Sequence, residues 1–302
     1  NVFFEVPEIP KFILNSPVTI TQEATYGATK TSEIEYTLLN NVKQAIRENK
    51  SILFPAFSIG RYQEAEYFVK CLQDEHIIPK RYKVYLDGVM PHEYNEKLEK
   101  IKNLFKPNSK NYTPYKAYKV VTNIEEFSKK SKKFLQKKKN KKLKVATREK
   151  VINSTDPKIV ISSSGMGSFG PSYEYITKWL SRSDVLIQFL GYMAEGTLGR
   201  MLQEISFGEN YTTQNEQIII KKADVKFTNE TSSHAKQDEL LEFLNKFNKI
   251  NCLFINHGNA HCKNEYAKVA KQNTNAKNVI VLNSKEIYRI GAYGFIKKYP
   301  LV

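Results

Sequence analysis

Six short apolar runs, each stopping at or just before a glycine or a small polar residue, constrain the folding of this 302-residue chain more than any other feature. They are SILFPAF (51–57), YKVYLDG (82–88), PKIVISSSG (157–165), DVLIQFLG (184–191), NCLFINHG (251–258) and NVIVLN (278–283). Runs this short and this apolar fit strands covered on both faces, as in a parallel sheet. SIGRYQEAEYFVKCLQ follows the first run and places Ala65, Phe68, Val69 and Leu72 on one helical face. Strands alternating with such helices need crossover connections, so the expected class is α/β with a doubly wound, mostly parallel sheet. Sheets of this class bind ligands beyond the carboxyl ends of their strands, which directs attention to the loops that end these runs.

The segment from about 104 to 156 is poor in strand signal and rich in Lys, Asn and Tyr, and is expected to be an irregular or helical insertion. It holds KKSKKFLQKKKNKKLK (129–144), a run without one acidic residue in a chain of net charge +16. Such a charge attracts polyanions, nucleic acids above all, although a lysine run can equally be a solvated insertion. No stretch approaches the roughly 18 apolar residues that span a bilayer, and the first residues lack the pattern of a signal peptide, so no membrane partner and a cytoplasmic location are expected. Cys71, Cys252 and Cys262 contain no CxxC pair, which argues against a disulfide framework and against a cysteine-based zinc site.

Three loops offer anion chemistry. SSSGMGSFG (162–170) follows a strand with small side chains, so amides around Ser163, Ser164 and Gly165 could approach an anion closely. Arg61 opens a helix, and GYMAEGTLGR (191–200) places Thr197 and Arg200 in a glycine-bounded turn. Taken singly, each loop also reads as an ordinary turn; together, in a basic protein, they suit a phosphodiester backbone. His234 stands in NETSSHAKQDELL just ahead of an amphipathic run, and His257 ends a strand. Either could be structural; His76 and His92 read only as structural, and His261 as a surface residue.

In order and type these motifs resemble the β-CASP branch of the metallo-β-lactamase-fold ribonucleases, the family of the pre-mRNA 3′-end cleavage endonuclease and RNase J. TQEATYG (21–27) resembles the acidic motif A, FPAFSIGRYQE the helix-opening signature and ISSSGMGSFGPS the glycine–methionine loop. GYMAEGTLGR resembles the turn closing the insertion, SSHAKQDELL motif B and INHGNA motif C. The resemblance implies residues 1–27 as the end of a first metallo-β-lactamase segment, 28–208 as the β-CASP domain and 209–302 as the C-terminal part of an αββα metallo-β-lactamase domain. It also implies His257 as a zinc ligand, His234 as general acid or transition-state hydrogen-bond donor near the leaving oxygen, and Glu23 as the carboxylate that orients His234. Arg61, Ser163, Ser164, Gly165, Thr197, Arg200 and Ser233 would contact RNA.

The family's H-x-H-x-D-H metal motif is absent from the sequence. The reading is therefore that of a zinc-dependent ribonuclease, in which a metal-bound hydroxide attacks RNA and two zinc ions are held jointly with a missing N-terminal half, present in cis or in trans. The chain alone would then be inactive. RNA is the expected partner, and a homodimer would add a second copy. A non-catalytic RNA-binding or scaffold subunit is the alternative, and a nucleotide-binding enzyme is disfavoured by the lack of G-x-G-x-x-G or a P-loop after any strand.

Overall fold

The computed structural model describes residues 8–105, 119–122, 146–213, 215–291 and 296–300; the lysine run from 129 to 144 lies outside them. The described strands are β1 (Val18–Glu23), β2 (Ser51–Pro55), β3 (Lys83–Asp87), β4 (Lys119–Thr122), β5 (Ala146–Thr147), β6 (Lys158–Ser162) and β7 (Val185–Leu190). They continue with β8 (Asn210–Thr212), β9 (Ile218–Ile220), β10 (Asp224–Thr228), β11 (Ile250–Asn256), β12 (Val279–Val281), β13 (Glu286–Ile290) and β14 (Ile296–Pro300). The chain divides into two compact units, one built on Glu35–Thr231 and the other on Val6–Ile34 with Ser232–Val302.

The first unit holds a seven-stranded sheet in the order β10-β7-β2-β6-β3-β4-β5. Every pairing in it is parallel. The two-residue period of the strands sorts their side chains to two cores. Ile52, Phe54, Val84, Leu86, Ile159 and Ile161 pack on one face with Val42, Ala45, Ala65 and Val69 from the helices Leu38–Arg47 and Arg61–Asp74. Leu53, Val160, Val185, Ile187 and Phe189 pack on the other with Tyr175, Ile176 and Trp179 of the helix Gly170–Trp179. All residues of β2, β6 and β7 are buried, as runs covered on both faces must be. The span 104–156, expected to be irregular or helical, instead contributes the parallel strands β4 and β5 before the helix Arg148–Asn153. The hairpin β8–β9 is antiparallel.

In the second unit β1, β11 and β12 form a parallel sheet, with β11 in the middle. Leu240 and Leu244 of the helix Gln237–Leu244 and Tyr266 and Ala270 of the helix Ala260–Asn273 pack in one core with Leu253 and Ile255 of β11 and with Ala24. An antiparallel hairpin, β13–β14, follows. Among the described residues no helix is long and apolar enough to cross a membrane.

Candidate active site

Parallel pairing in the second unit brings two distant motifs together, because the register sets Glu23, the last residue of β1, opposite Asn256, the last of β11. The Ala24 amide then donates to the carbonyls of Asn256 (3.1 Å) and His257 (2.8 Å). His257 turns the chain out of the strand with φ 43°, left-handed backbone that is uncommon outside glycine, and Gly258 continues at φ 136°. A Cβ on Gly258 would stand 2.8 Å from the Ala24 carbonyl oxygen, so only glycine lets β1 and β11 end this close together.

The loop carrying His234 is fastened to the same strand end. Tyr26 and Lys236 form a parallel bridge, the Gln237 amide donates to the Thr29 carbonyl (2.9 Å), and the Gln237 side chain donates to the Gly27 carbonyl (2.7 Å). Lys236 is buried, its ammonium 4.7 Å from the Tyr26 ring centre and 3.0 Å from the His234 carbonyl oxygen. Asp238 accepts from both the amide and the hydroxyl of Thr31 at 2.9 Å. Burial opposes its charge, yet these Thr31 hydrogen bonds hold the Asp238 carboxyl below the ordinary range. The helix Gln237–Leu244 therefore starts three residues after His234, and its acid Glu239 caps the Lys236 amide at 2.7 Å.

Glu23 and His234, 211 positions apart, meet as expected: His234 Nδ1 lies 2.6 Å from Glu23 Oε2. The His234 and Glu23 side chains are 42% and 28% exposed, and Thr25 donates a second hydrogen bond to the same carboxylate oxygen at 3.0 Å. The His257 ring is centred 5.4 Å from that of His234, and the Tyr26 ring 6.3 Å from it. A carboxylate on Nδ1 fixes the ring's orientation and leaves Nε2 as the nitrogen available for chemistry. Ser233, next in the chain, is exposed. Thr25 and Tyr26 lie in the same heptapeptide as Glu23; nothing in their local sequence pattern marks them as neighbours of a histidine more than two hundred residues away.

Glu23, His234 and His257 each bring a donor atom to within 4.8 Å of the others, the pattern of a metal site. Two donors on one tetrahedral zinc, each at about 2.1 Å, stand roughly 3.4 Å apart. The 2.6 Å between Nδ1 and Oε2 is therefore a hydrogen bond, not a shared ion. With His234 Nδ1 and Glu23 Oε2 bonded to each other, His257 is left with too few partners for the three protein ligands that a catalytic zinc takes. By themselves these residues do not fit a zinc centre, still less a pair of zinc ions.

In the first unit the three loops singled out in the sequence are joined. The Ser163 amide donates to the Asp87 carbonyl (3.1 Å), the Gly199 amide to the Met166 carbonyl (2.9 Å), and the Leu198 amide to the Ser168 hydroxyl (2.9 Å). Gly165 lies against Phe57, whose ring a Cβ there would meet at 2.8 Å. Thr197 caps the helix Leu198–Glu204, accepting from the Arg200 amide while its hydroxyl donates to the Ala194 carbonyl. Arg200 is exposed and reaches Glu204 at 3.0 Å. Arg61 does open a helix, but its side chain is buried and its guanidinium is paired with Glu64 one turn on, so it is not held out toward solvent. Ser163 and Ser164 are half-buried and Gly165 is buried.

Two families of known proteins match this chain in tandem: the Beta-Casp domain over residues 62–202 and the Zn-dependent metallo-hydrolase RNA specificity domain over residues 219–282. Transcription termination factor FttA of Methanosarcina mazei is 26% identical over 263 residues, covering 80% of this chain and 37% of the relative. The factor of the same name from Pyrococcus abyssi is 29% identical over 251 residues, 76% of this chain and 34% of its own length. The RNase J-like protein of Methanocaldococcus jannaschii is 28% identical over 246 residues, 78% of this chain and 51% of that protein. The chain thus spans about a third of the length of the termination factors it matches. With both matches in the same order as the motifs, and a parallel α/β sheet beneath the first, the chain carries the tandem domains of the β-CASP metallo-β-lactamase-fold family.

Proposed function

We propose that this chain is the β-CASP and C-terminal metallo-β-lactamase part of a zinc-dependent, RNA-processing ribonuclease, with residues 28–208 as the β-CASP domain between segments 1–27 and 209–302. The observation that carries the reading is the Glu23–His234 hydrogen bond with His257 beside it, since two motifs two hundred residues apart converge on one proton-handling pair. His234 donates Nδ1–H to Glu23 and gives a proton from Nε2 to the oxygen leaving phosphorus. Glu23 keeps the ring in place, and His257 contributes one nitrogen toward zinc. When bound, the metal would supply Lewis-acid activation, with the remaining ligands coming from outside the described residues. Ser163, Ser164, Gly165, Thr197 and Arg200 in the first unit, and Ser233 in the second, would each contact RNA, with Arg61 supporting its helix start.

The experiment is made in the protein that carries this chain together with the remaining metal ligands. His234→Ala should lower kcat on labelled RNA roughly a hundredfold or more while leaving affinity nearly intact, the scale of a lost general acid. His257→Ala should lower zinc content as well as rate. Cleavage by His234→Ala at the parental rate refutes the assignment. The incomplete metal set favours one second reading, a non-catalytic RNA-binding subunit. That reading requires RNA binding without cleavage when zinc and the rest of the protein are both supplied.

A further inference from the structure

At the carboxyl edge of the seven-stranded sheet, four neighbouring strands are each followed by an exposed large side chain, three of them in the next loop and one, Met90, in the first turn of the helix Val89–Lys100. In sheet order they are Tyr192 after β7, Phe57 after β2, Phe169 after β6 and Met90 after β3. Their exposures are 42%, 42%, 69% and 57%, where aromatic and methionine side chains would ordinarily be covered. Ile59, in the loop after β2, and Val89, which opens the helix Val89–Lys100, are also exposed. Neighbouring strands lie about 4.8 Å apart, so the four strand ends that these residues follow span roughly 14 Å along one edge. It is not a frayed surface: Phe57 is seated on Gly165, and Phe169 is the residue preceding the helix Gly170–Trp179.

The polar features along the row favour one partner. The parallel sheet opens the helices Arg61–Asp74, Val89–Lys100 and Gly170–Trp179 at this same edge. The latter two have no acidic residue in the first turn, so their positive dipole ends are not neutralised by their own side chains. Anion-favouring ends interleaved with aromatic rings, on a chain of net charge +16, match a polyanion that also carries flat apolar faces. A second copy of so basic a chain would be repelled. A duplex hides its base faces in the stack, whereas a single strand presents them.

We propose that Tyr192, Phe57, Phe169 and Met90 form a stacking platform for the bases of single-stranded RNA, an inference that rests on the RNA-processing reading above. The platform grips any base, because every base has a π face, and it holds consecutive nucleotides in order along the sheet edge.

The test is fluorescence anisotropy of the 302-residue chain with a labelled oligoadenylate and with the same strand carrying abasic riboses. Phe57→Ala, Phe169→Ala and Tyr192→Ala should each weaken oligoadenylate binding about 5- to 150-fold, leave the salt dependence unchanged, and leave affinity for the abasic strand at the parental value. Phe169→Tyr should restore binding, and Phe207→Ala, which removes an exposed ring outside the row, should change nothing. Phe57→Ala also removes a packing contact, so the exposed Phe169 and Tyr192 decide the matter. If the parent prefers bases to abasic riboses no more than the variants do, the platform is refuted while RNA binding stands. If the parent binds neither strand at low salt, the RNA reading itself fails. If the alanine variants instead dissociate a dimer with RNA affinity intact, the row is a contact between copies and the proposal is overturned.

Discussion

Lys158 is the first residue of β6 and is fully buried. Its ammonium donates to the Ser154 carbonyl at 2.6 Å and lies 5.7 Å from the centre of the Trp179 ring, which the Arg182 guanidinium approaches at 5.6 Å. Burial, with the like charge of Arg182 added, pulls the ammonium down to about 8. Below that pH the folded chain carries a buried charge that the unfolded chain leaves in water. Between about 8 and 10.5 the folded state sheds its proton first, so stability should rise with pH across this window. Urea unfolding followed by Trp179 fluorescence should show the rise in the parent. Lys158→Met should start more stable at pH 7.5 and lack that increment, and equal pH slopes in the two proteins would refute the account. The same contrast between local pattern and spatial setting separates the site residues. The end of its apolar run marks His257 as a strand end, and Arg61 does open a helix, but no local pattern shows that Glu64 one turn on pairs the Arg61 guanidinium. Glu23 has no local signal in hydrophobic pattern; motif resemblance alone pointed to it, and the β1–β11 register gives it its place.

Among the elements, β3 and the helix Arg148–Asn153 are joined by a bidentate ion pair. Arg148 Nε and Nη2 donate to the two Asp87 oxygens at 2.7 and 3.0 Å, and both side chains are almost entirely buried. The third donor reaches Glu174 at 2.6 Å. Asp87 ends β3 beside the glycine–methionine loop, since its carbonyl accepts from the Ser163 amide. Removing one partner strands the other charge in the interior, at a cost of about 3–5 kcal/mol. Arg148→Met should therefore lower the stability of the first unit by about that much; Asp87→Asn should cost less, because Glu174 still pairs the guanidinium, and the double variant should lose well under the sum of the two, as read from urea midpoints. Additive losses would show that the charges are not coupled. Sequence alone disclosed β2, β3, β6, β7, β11 and β12, because strands buried on both faces are nearly continuous apolar runs. It missed β10, whose residues include Asp224 and Lys226 and whose burial is partial, because an edge strand covered on few sides needs no such run. It missed β4 as well, Lys119–Thr122 being a four-residue strand within a lysine-rich span. The family segments and the compact units consequently divide the chain at different places: β10 falls after residue 208 yet pairs with β7.

At the scale of the whole molecule, 47 basic against 31 acidic residues set a field that acts before any specific contact forms. Much of the excess sits in the lysine run 129–144, and its effect can be separated from that of the folded edge by salt. Each phosphate contact on a single strand releases condensed counterions and contributes about 0.7 to the slope of log affinity against log salt. Aromatic stacking contributes affinity but no such slope. Replacing Lys137, Lys138, Lys141 and Lys142 with Gln should therefore weaken RNA binding across sequences and flatten the slope by about 0.7 for each lysine that met a phosphate. Phe169→Ala should weaken binding at an unchanged slope. In the protein that carries the complete metal site, turnover at saturating RNA should respond to neither change, because neither touches Glu23 or His234. A lysine variant that keeps the parental slope would make the run a solvated insertion and leave the attraction of RNA to basic residues elsewhere in the chain. A parallel fall in slope for Phe169→Ala would mean that the sheet edge meets phosphates rather than bases.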